Sequence, residues 1–303
     1  MSEFIQQRLE LVRQEMAKSN LDAFIIPRAD EYLGEYVPPQ NERLQWLSGF
    51  SGSAGVAVVL KTRAAMFVDG RYTIQVKQQV PEASFEFHHL IEEPPTSWLC
   101  ETLGENARIG IDSRMHTLSW YQATRKALTM KNIELIELDH NPIDLHWEDR
   151  PVPDHKLAML LGEEYTGVNS EKKRQMISAE IQKSGADIAL ISQLDSIAWL
   201  LNIRGGDVPR LPVLLAFATL DSTGDMVIYT DPRKLPNDFA AHVGKGVTVK
   251  EEDQLEQALH NLGNQGKRVM ADPTMANAWC QLRCQNAGAR LIAATDPVLI
   301  PKA

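Results

Sequence analysis

The chain has 303 residues, 44% apolar and 23% charged, a balance that marks an ordinary globular protein. That length gives room for two domains of about 150 residues each. Its net charge of −9, with Lys and Arg scattered, excludes nucleic acid as an expected partner, because binding phosphates needs concentrated positive charge. No apolar run approaches the roughly 18 residues of a membrane span. The opening Met1-Ser2-Glu3-Phe4-Ile5-Gln6-Gln7-Arg8 lacks the basic start and apolar stretch of a signal peptide, so no membrane association and a cytoplasmic location are expected.

Taken in order, the predicted elements repeat. Ile5, Leu9, Val12 and Met16 form one apolar stripe on a 3.6-residue period, which predicts a first helix. Leu21 to Ile26, ending at Pro27, reads as a buried strand. A short helix carries Trp46, and Val56–Leu60 and Ala65–Asp69 read as further strands. Arg108-Ile109-Gly110-Ile111-Asp112 and Glu134–Leu138 complete the half, which closes on Asn141-Pro142. The second half runs through a helix over 170–183 capped by Asn169 or Ser170, a strand at Gly185–Ile191 and a helix carrying Trp199. Strands at Val213–Phe217, Met226–Asp231, Arg268–Asp272 and Arg290–Ala294 follow, and the half closes on Asp296-Pro297. Alternating helical and strand periods predict an α/β fold built as a duplicated pair of domains, each a mixed sheet flanked by helices. The proline-bearing, charged stretch Trp147–His155 reads as the linker, which places the domains at 1–158 and 159–303.

Candidate chemistry is sparse. Gly49–Gly55 offers neither a nucleophile elbow nor a dinucleotide fingerprint, because the spacing of its glycines and its helix–loop–strand order both fail. His88 and His89 alternate across a strand, and Cys280 and Cys284 lack further ligands nearby in sequence, so no metal site is expected in either place. All three cysteines are expected to be free thiols. Asp69-Gly70-Arg71-Tyr72 ends a strand, where Arg71 reads either as a carboxylate-binding fork or as an arginine pinned to a surface Asp. In Arg204-Gly205-Gly206-Asp207, glycine ends a helix, and a network of Arg204 and Asp207 would lock the loop. No nucleophile with its base stands out, so no catalytic residue is assigned.

Several ordered motifs resemble the aminopeptidase P and prolidase group of proline-specific metallopeptidases. They are Trp46-Leu47-Ser48-Gly49-Phe50-Ser51-Gly52-Ser53-Ala54-Gly55; Val68-Asp69-Gly70-Arg71-Tyr72 with Gln75; Trp147 to Pro151 with Tyr165, Gly167 and Lys172; and Leu194–Gly205 with Asp207 and Pro212-Val213. Arg210-Leu211 departs from the family's Tyr-Asn at that place. The resemblance is to the three-domain Xaa-Pro aminopeptidases, whose first two domains are creatinase-N-like. It implies two tandem creatinase-N-like domains without the pita-bread catalytic domain, in a truncated or naturally short chain that is inactive alone. It also implies a parent enzyme that releases the residue preceding proline, acting on peptides with proline second and capable of homodimerising. A divalent metal pair, Mn or Zn, is expected in the missing catalytic domain and no cofactor in this chain. Arg71, and then Arg204 and Asp207, are the residues expected to line or brace the substrate entrance. The alternative is a non-enzymatic peptide- or protein-binding module of degenerate peptidase type.

Overall fold

A computed structural model describes residues 2–303 as two compact units. One takes in Met1–Asp30, Pro39–His116 and Trp120–Val152; the other takes in Pro153–Ala303 with Glu31–Pro38 and Thr117–Ser119.

The first unit begins with α1 (Ser2–Lys18), which buries the predicted stripe of Ile5, Leu9, Val12 and Met16. Then come β1 (Ala23–Pro27), α2 (Arg43–Ser48), β2 (Val56–Leu60), β3 (Ala64–Val68), α3 (Thr73–Gln79), β4 (Glu86–His89) and α4 (Pro95–Thr102). β5 (Arg108–Ile111), α5 (Leu118–Thr129) and β6 (Glu134–Glu137) close it. The sheet order is β4-β3-β2-β1-β5-β6; β1 runs antiparallel to β2 and parallel to β5, so the sheet is mixed. Alternation along β1 sends Phe24 and Ile26 to the face covered by α1 and α2.

In the second unit β7 (Met159–Leu160) and α6 (Glu163–Thr166) precede α7 (Ser170–Lys183), whose N-cap Asn169 accepts a hydrogen bond from the Lys172 amide. β8 (Ile188–Ile191), α8 (Leu194–Leu201), β9 (Ile203–Arg204), β10 (Phe217–Asp221), β11 (Met226–Tyr229), α9 (Phe239–Val243) and β12 (Val247–Lys250) follow. α10 (Leu255–Asn264), β13 (Arg268–Ala271), α11 (Ala278–Asn286), β14 (Arg290–Ala293) and α12 (Leu299–Lys302) complete it. The order β12-β11-β10-β8-β13-β14 repeats that of the first sheet, strand for strand and direction for direction. Ala189 and Ile191 pack with α7 and α8, while Leu190 packs on the other face with α10 and α11.

One expected strand shifts. Val213–Ala216 is buried but lies outside the sheet, and β10 begins at Phe217. Its backbone is spoken for: Val213 O accepts from the Asp207 amide, the Leu215 amide donates to Asp207 Oδ2 at 2.7 Å, and Leu215 O accepts from Thr230 Oγ1 at 2.8 Å. Side chains and a neighbouring loop have replaced a ladder there.

Candidate functional site

The two helices that carry tryptophan are held alike. Arg8 on α1 donates to Trp46 O at 2.5 Å, and its guanidinium lies 4.7 Å from the centroid of that ring. In the second unit Lys173 on α7 donates to Trp199 O at 3.2 Å and sits 4.1 Å from the Trp199 ring. Each cation meets a carbonyl in the last turn of a helix and the negative face of an aromatic ring. Both helices then stop on a left-handed residue, Gly49 at φ 81° and Asn202 at φ 52°. Asn202 adds what glycine cannot: its Oδ1 accepts from Lys173 Nζ at 2.7 Å and its Nδ2 donates to Val168 O at 2.9 Å. His242 Nε2 reaches Leu201 O and Asn202 O at 3.1 Å each. Burial lowers the pKa of Lys173, with a further push from Arg204. Asn202 lay in the motif read from the sequence, whereas Lys173 and His242 were not singled out there. The paired tryptophans, aligned with the two first helices, were the signal that pointed to them.

The Arg204–Asp207 loop grows from this anchor, but its two charged side chains part. Arg204 Nη1 donates to Ile203 O at 2.8 Å and the side chain lines a groove of about 390 Å³ with Asp195, Trp199, Pro212 and Lys302. Asp207 turns inward to a buried ion pair with Lys234 at 2.9 Å, so the loop lock expected between Arg204 and Asp207 is made by Asp207 and Lys234 instead. The reason is distance from water: a buried carboxylate needs a cation and donors, and Lys234 and the Leu215 amide supply them. Gly205 is where this loop passes the crossing segment, because a Cβ there would run into backbone atoms of Val213 and Leu214.

Arg71 belongs to the first unit and is 67% exposed. Its guanidinium forks onto Asp69, Nη2 to Oδ2 at 2.7 Å and Nε to Oδ1 at 3.1 Å, and this hydrogen-bonded pair holds the Asp69 carboxyl below its ordinary range. Around it stand Tyr72, whose hydroxyl lies 2.6 Å from Ser53 Oγ, and Ser51, bonded by Gln75 and Gln79. Arg71 Nη1 has no described hydrogen-bond partner, which leaves one face of a polar, exposed surface open to a ligand. The second unit repeats the fork: Arg233 holds Asp231 through Nη2 at 2.7 Å and Nε at 2.9 Å, and Asp231 is pulled down to about 2. The fork itself is thus a device of the fold, used in both units.

Among the described residues no group of three or more His, Cys, Asp or Glu stands where it would hold a metal ion. The side chains present do not fit a metal centre, and no chemical step is derived through one. No helix among them is long and apolar enough to cross a membrane. Cys280 and Cys284 are buried, and burial pushes the Cys284 thiol up to about 12, leaving it protonated and inert.

Family models of the creatinase/prolidase N-terminal domain match residues 8–145 and again residues 149–303. The chain belongs to the creatinase/prolidase N-terminal domain family. It carries that domain twice, as the repeated sheet order requires. A probable Xaa-Pro aminopeptidase P of Aspergillus fumigatus is 33% identical over 247 residues, 80% of this chain and 38% of that relative. The Xaa-Pro aminopeptidase 1 of Dictyostelium discoideum is 29% identical across 99% of this chain and 49% of its own length. This creatinase/prolidase N-terminal pair thus spans half or less of the length of these curated relatives. Among solved structures, an X-prolyl aminopeptidase from Caenorhabditis elegans, described as a cytosolic enzyme with a di-nuclear active site, superposes with a TM-score of 0.89. It covers 96% of this chain and 50% of that one, and at 23% identity it shows a shared fold.

Proposed function

We propose that the two units are the N-terminal, auxiliary half of a metal-dependent Xaa-Pro aminopeptidase, which releases the residue preceding proline from peptides with proline second. The observation that carries this reading is a single collinear match: 33% identity over 247 residues to an Xaa-Pro aminopeptidase P. A metal pair, Mn or Zn, belongs in this reading to a catalytic region outside the residues described here, and the chain alone is inactive. The complete enzyme acts in the cytoplasm and pairs as a homodimer.

Proline's tertiary amide and fixed φ give its peptides a bent backbone that an ordinary extended-peptide site does not accommodate. Auxiliary domains serve such an enzyme by limiting access and orienting the peptide before chemistry. Arg71 is the residue we assign to that entrance: it is held by Asp69, exposed, and has Nη1 left to take a peptide oxygen. Arg204 lines its groove in a supporting role, and Asp207 braces the loop from beneath. In the complete enzyme, Arg71→Ala should shift the ratio of kcat/KM between tripeptides and longer Xaa-Pro peptides by about threefold or more. An unchanged ratio across several lengths would remove Arg71 from the entrance.

A further inference from the structure

The second histidine of His88-His89 has no role in the entrance described above. β3 and β4 run parallel with Val68 facing His89, so the turn Asp69-Gly70-Arg71 and the half-buried His89 stand at the same end of the first sheet. A Cβ on Gly70 would lie 3.8 Å from His89 Nε2, which sets that nitrogen against the turn. His89 Nδ1 accepts from the amides of Glu92 at 3.2 Å and Ile91 at 3.4 Å, so the ring proton sits on Nε2. Asp69 is not free to take that proton's bond. Its Oδ1 accepts from the Arg71 amide at 2.9 Å and its Oδ2 from Arg71 Nη2 at 2.7 Å. Two donors at this turn, Arg71 Nη1 and His89 Nε2, therefore have no described acceptor.

The duplication tells what stands here in the second unit. Asp22 answers Asp187, each accepting from the arginine that opens the neighbouring strand, so Ile26 facing Ala57 answers Ile191 facing Ala218. Val56 facing Phe67 then answers Phe217 facing Tyr229, which lays Asp69-Gly70-Arg71 on Asp231-Pro232-Arg233. Phe67 faces His88 and Tyr229 faces Lys250, so His89 answers Glu251. The second fork thus has a further carboxylate of its own: Asp231 raises the pKa of Arg233, and Glu251 adds to the effect. The one imidazole on that fork is spent, its Nδ1 lying 3.0 Å from Asp231 Oδ2 in His155. Among the described residues Arg71 meets Asp69 and Tyr72 but no second carboxylate.

We propose that Arg71 Nη1 and His89 Nε2 together bind the free C-terminal carboxylate of a short Xaa-Pro peptide, in the place that Glu251 takes in the second unit. Each donor takes one carboxylate oxygen. Gly70 leaves the imidazole edge uncovered, where the second unit has Pro232. His89 is then a specificity-determining residue, favouring peptides that end a few residues beyond proline. The inference rests on the reading of Arg71 as part of the substrate entrance.

The test uses the 303-residue chain with ¹⁵N-labelled histidine and arginine, and the tripeptide Ala-Pro-Ala. The free acid should shift the His89 Nε2 and Arg71 Nε signals saturably, with a Kd on the order of 10 mM because exposed pairs are weak. The C-terminal amide should leave both signals in place. Ala-Pro-Asp-amide, whose carboxylate is on a side chain, should bind about fivefold more weakly than the free acid. His89→Glu, which installs the second unit's carboxylate, should abolish the shift of Arg71, while His89→Gln, which keeps a donor, should retain it. Should His89→Glu not fold, the exposed change Arg71→Lys decides by weakening the acid about fivefold. In the complete enzyme, His89→Glu should lower the ratio of kcat/KM for the tripeptide over its amide about threefold. Equal shifts from acid and amide, tighter binding of Ala-Pro-Asp-amide, or acid binding indifferent to His89→Glu and Arg71→Lys overturns the proposal. Binding is read without turnover, so a complete enzyme that cleaves neither peptide would remove the peptidase reading and leave the titration to decide the carboxylate site.

Discussion

His116 is buried with its ring stacked 3.8 Å from that of Trp120, and its Nε2 meets no hydrogen-bonding group among the described residues. Burial alone drives its pKa from 6.5 to about 3. Since the folded value lies below the unfolded one, the stability this residue contributes is present above pH 6.5 and drains away as pH falls toward 3. By pH 4 the loss amounts to about 3 kcal/mol, from about 1.4 kcal/mol per pH unit. Chemical denaturation at pH 7 and pH 4 should show that slope in the parent and lack this part of it in His116→Phe. Residues of this kind were hidden in the sequence, because a histidine's burial depends on partners that arrive from elsewhere in the chain. Arg71 was visible because its carboxylate partner is two residues away; Asp207 was visible, yet its true partner Lys234 is not a sequence neighbour.

Among the elements, the helices with strong periodicity stand where expected. α1 buries Ile5, Leu9, Val12 and Met16, and α7 spans Ser170–Lys183 behind Asn169. The misplaced strand at Val213–Ala216 has a different lesson. An apolar run marks burial, while strand pairing depends on whether its amides and carbonyls are free, and here Asp207 takes the Leu215 amide and Thr230 the Leu215 carbonyl. The loop that supplies Asp207 depends on Gly205. Gly205→Ala should cost about 3 kcal/mol, since backbone rather than a flexible side chain would have to move. Gly104→Ala, with nothing within 4 Å of the new Cβ, should be within about 0.5 kcal/mol of the parent. Equal losses in urea melts of the two variants would refute the close-approach argument.

At the scale of the whole molecule, the duplication organises what each half can do. Both units keep the sheet order, the cation under a tryptophan, the Asp–x–Arg fork and the amide-binding aspartate before the first strand: Asp22 Oδ2 and Asp187 Oδ2 accept from Arg108 and Arg268 at 2.8 Å each. These shared parts build the fold. The parts that differ, Asn202 for Gly49 and Arg204 for Ser51, are where the second unit has its own chemistry. The repeat was legible because each half restates the same phrases; the Asp207–Lys234 pair was not, because its partners meet only in space.

The reading of this chain as the auxiliary half of an Xaa-Pro aminopeptidase is tested by one side-by-side assay. Release of the first residue from an Xaa-Pro peptide is measured, with Mn²⁺ or Zn²⁺ added, for the 303-residue chain and for the product of the whole reading frame. Metal-dependent release is expected from the latter and none above blank from the former. Release by the 303-residue chain, or its absence from the product of the whole frame, would contradict it.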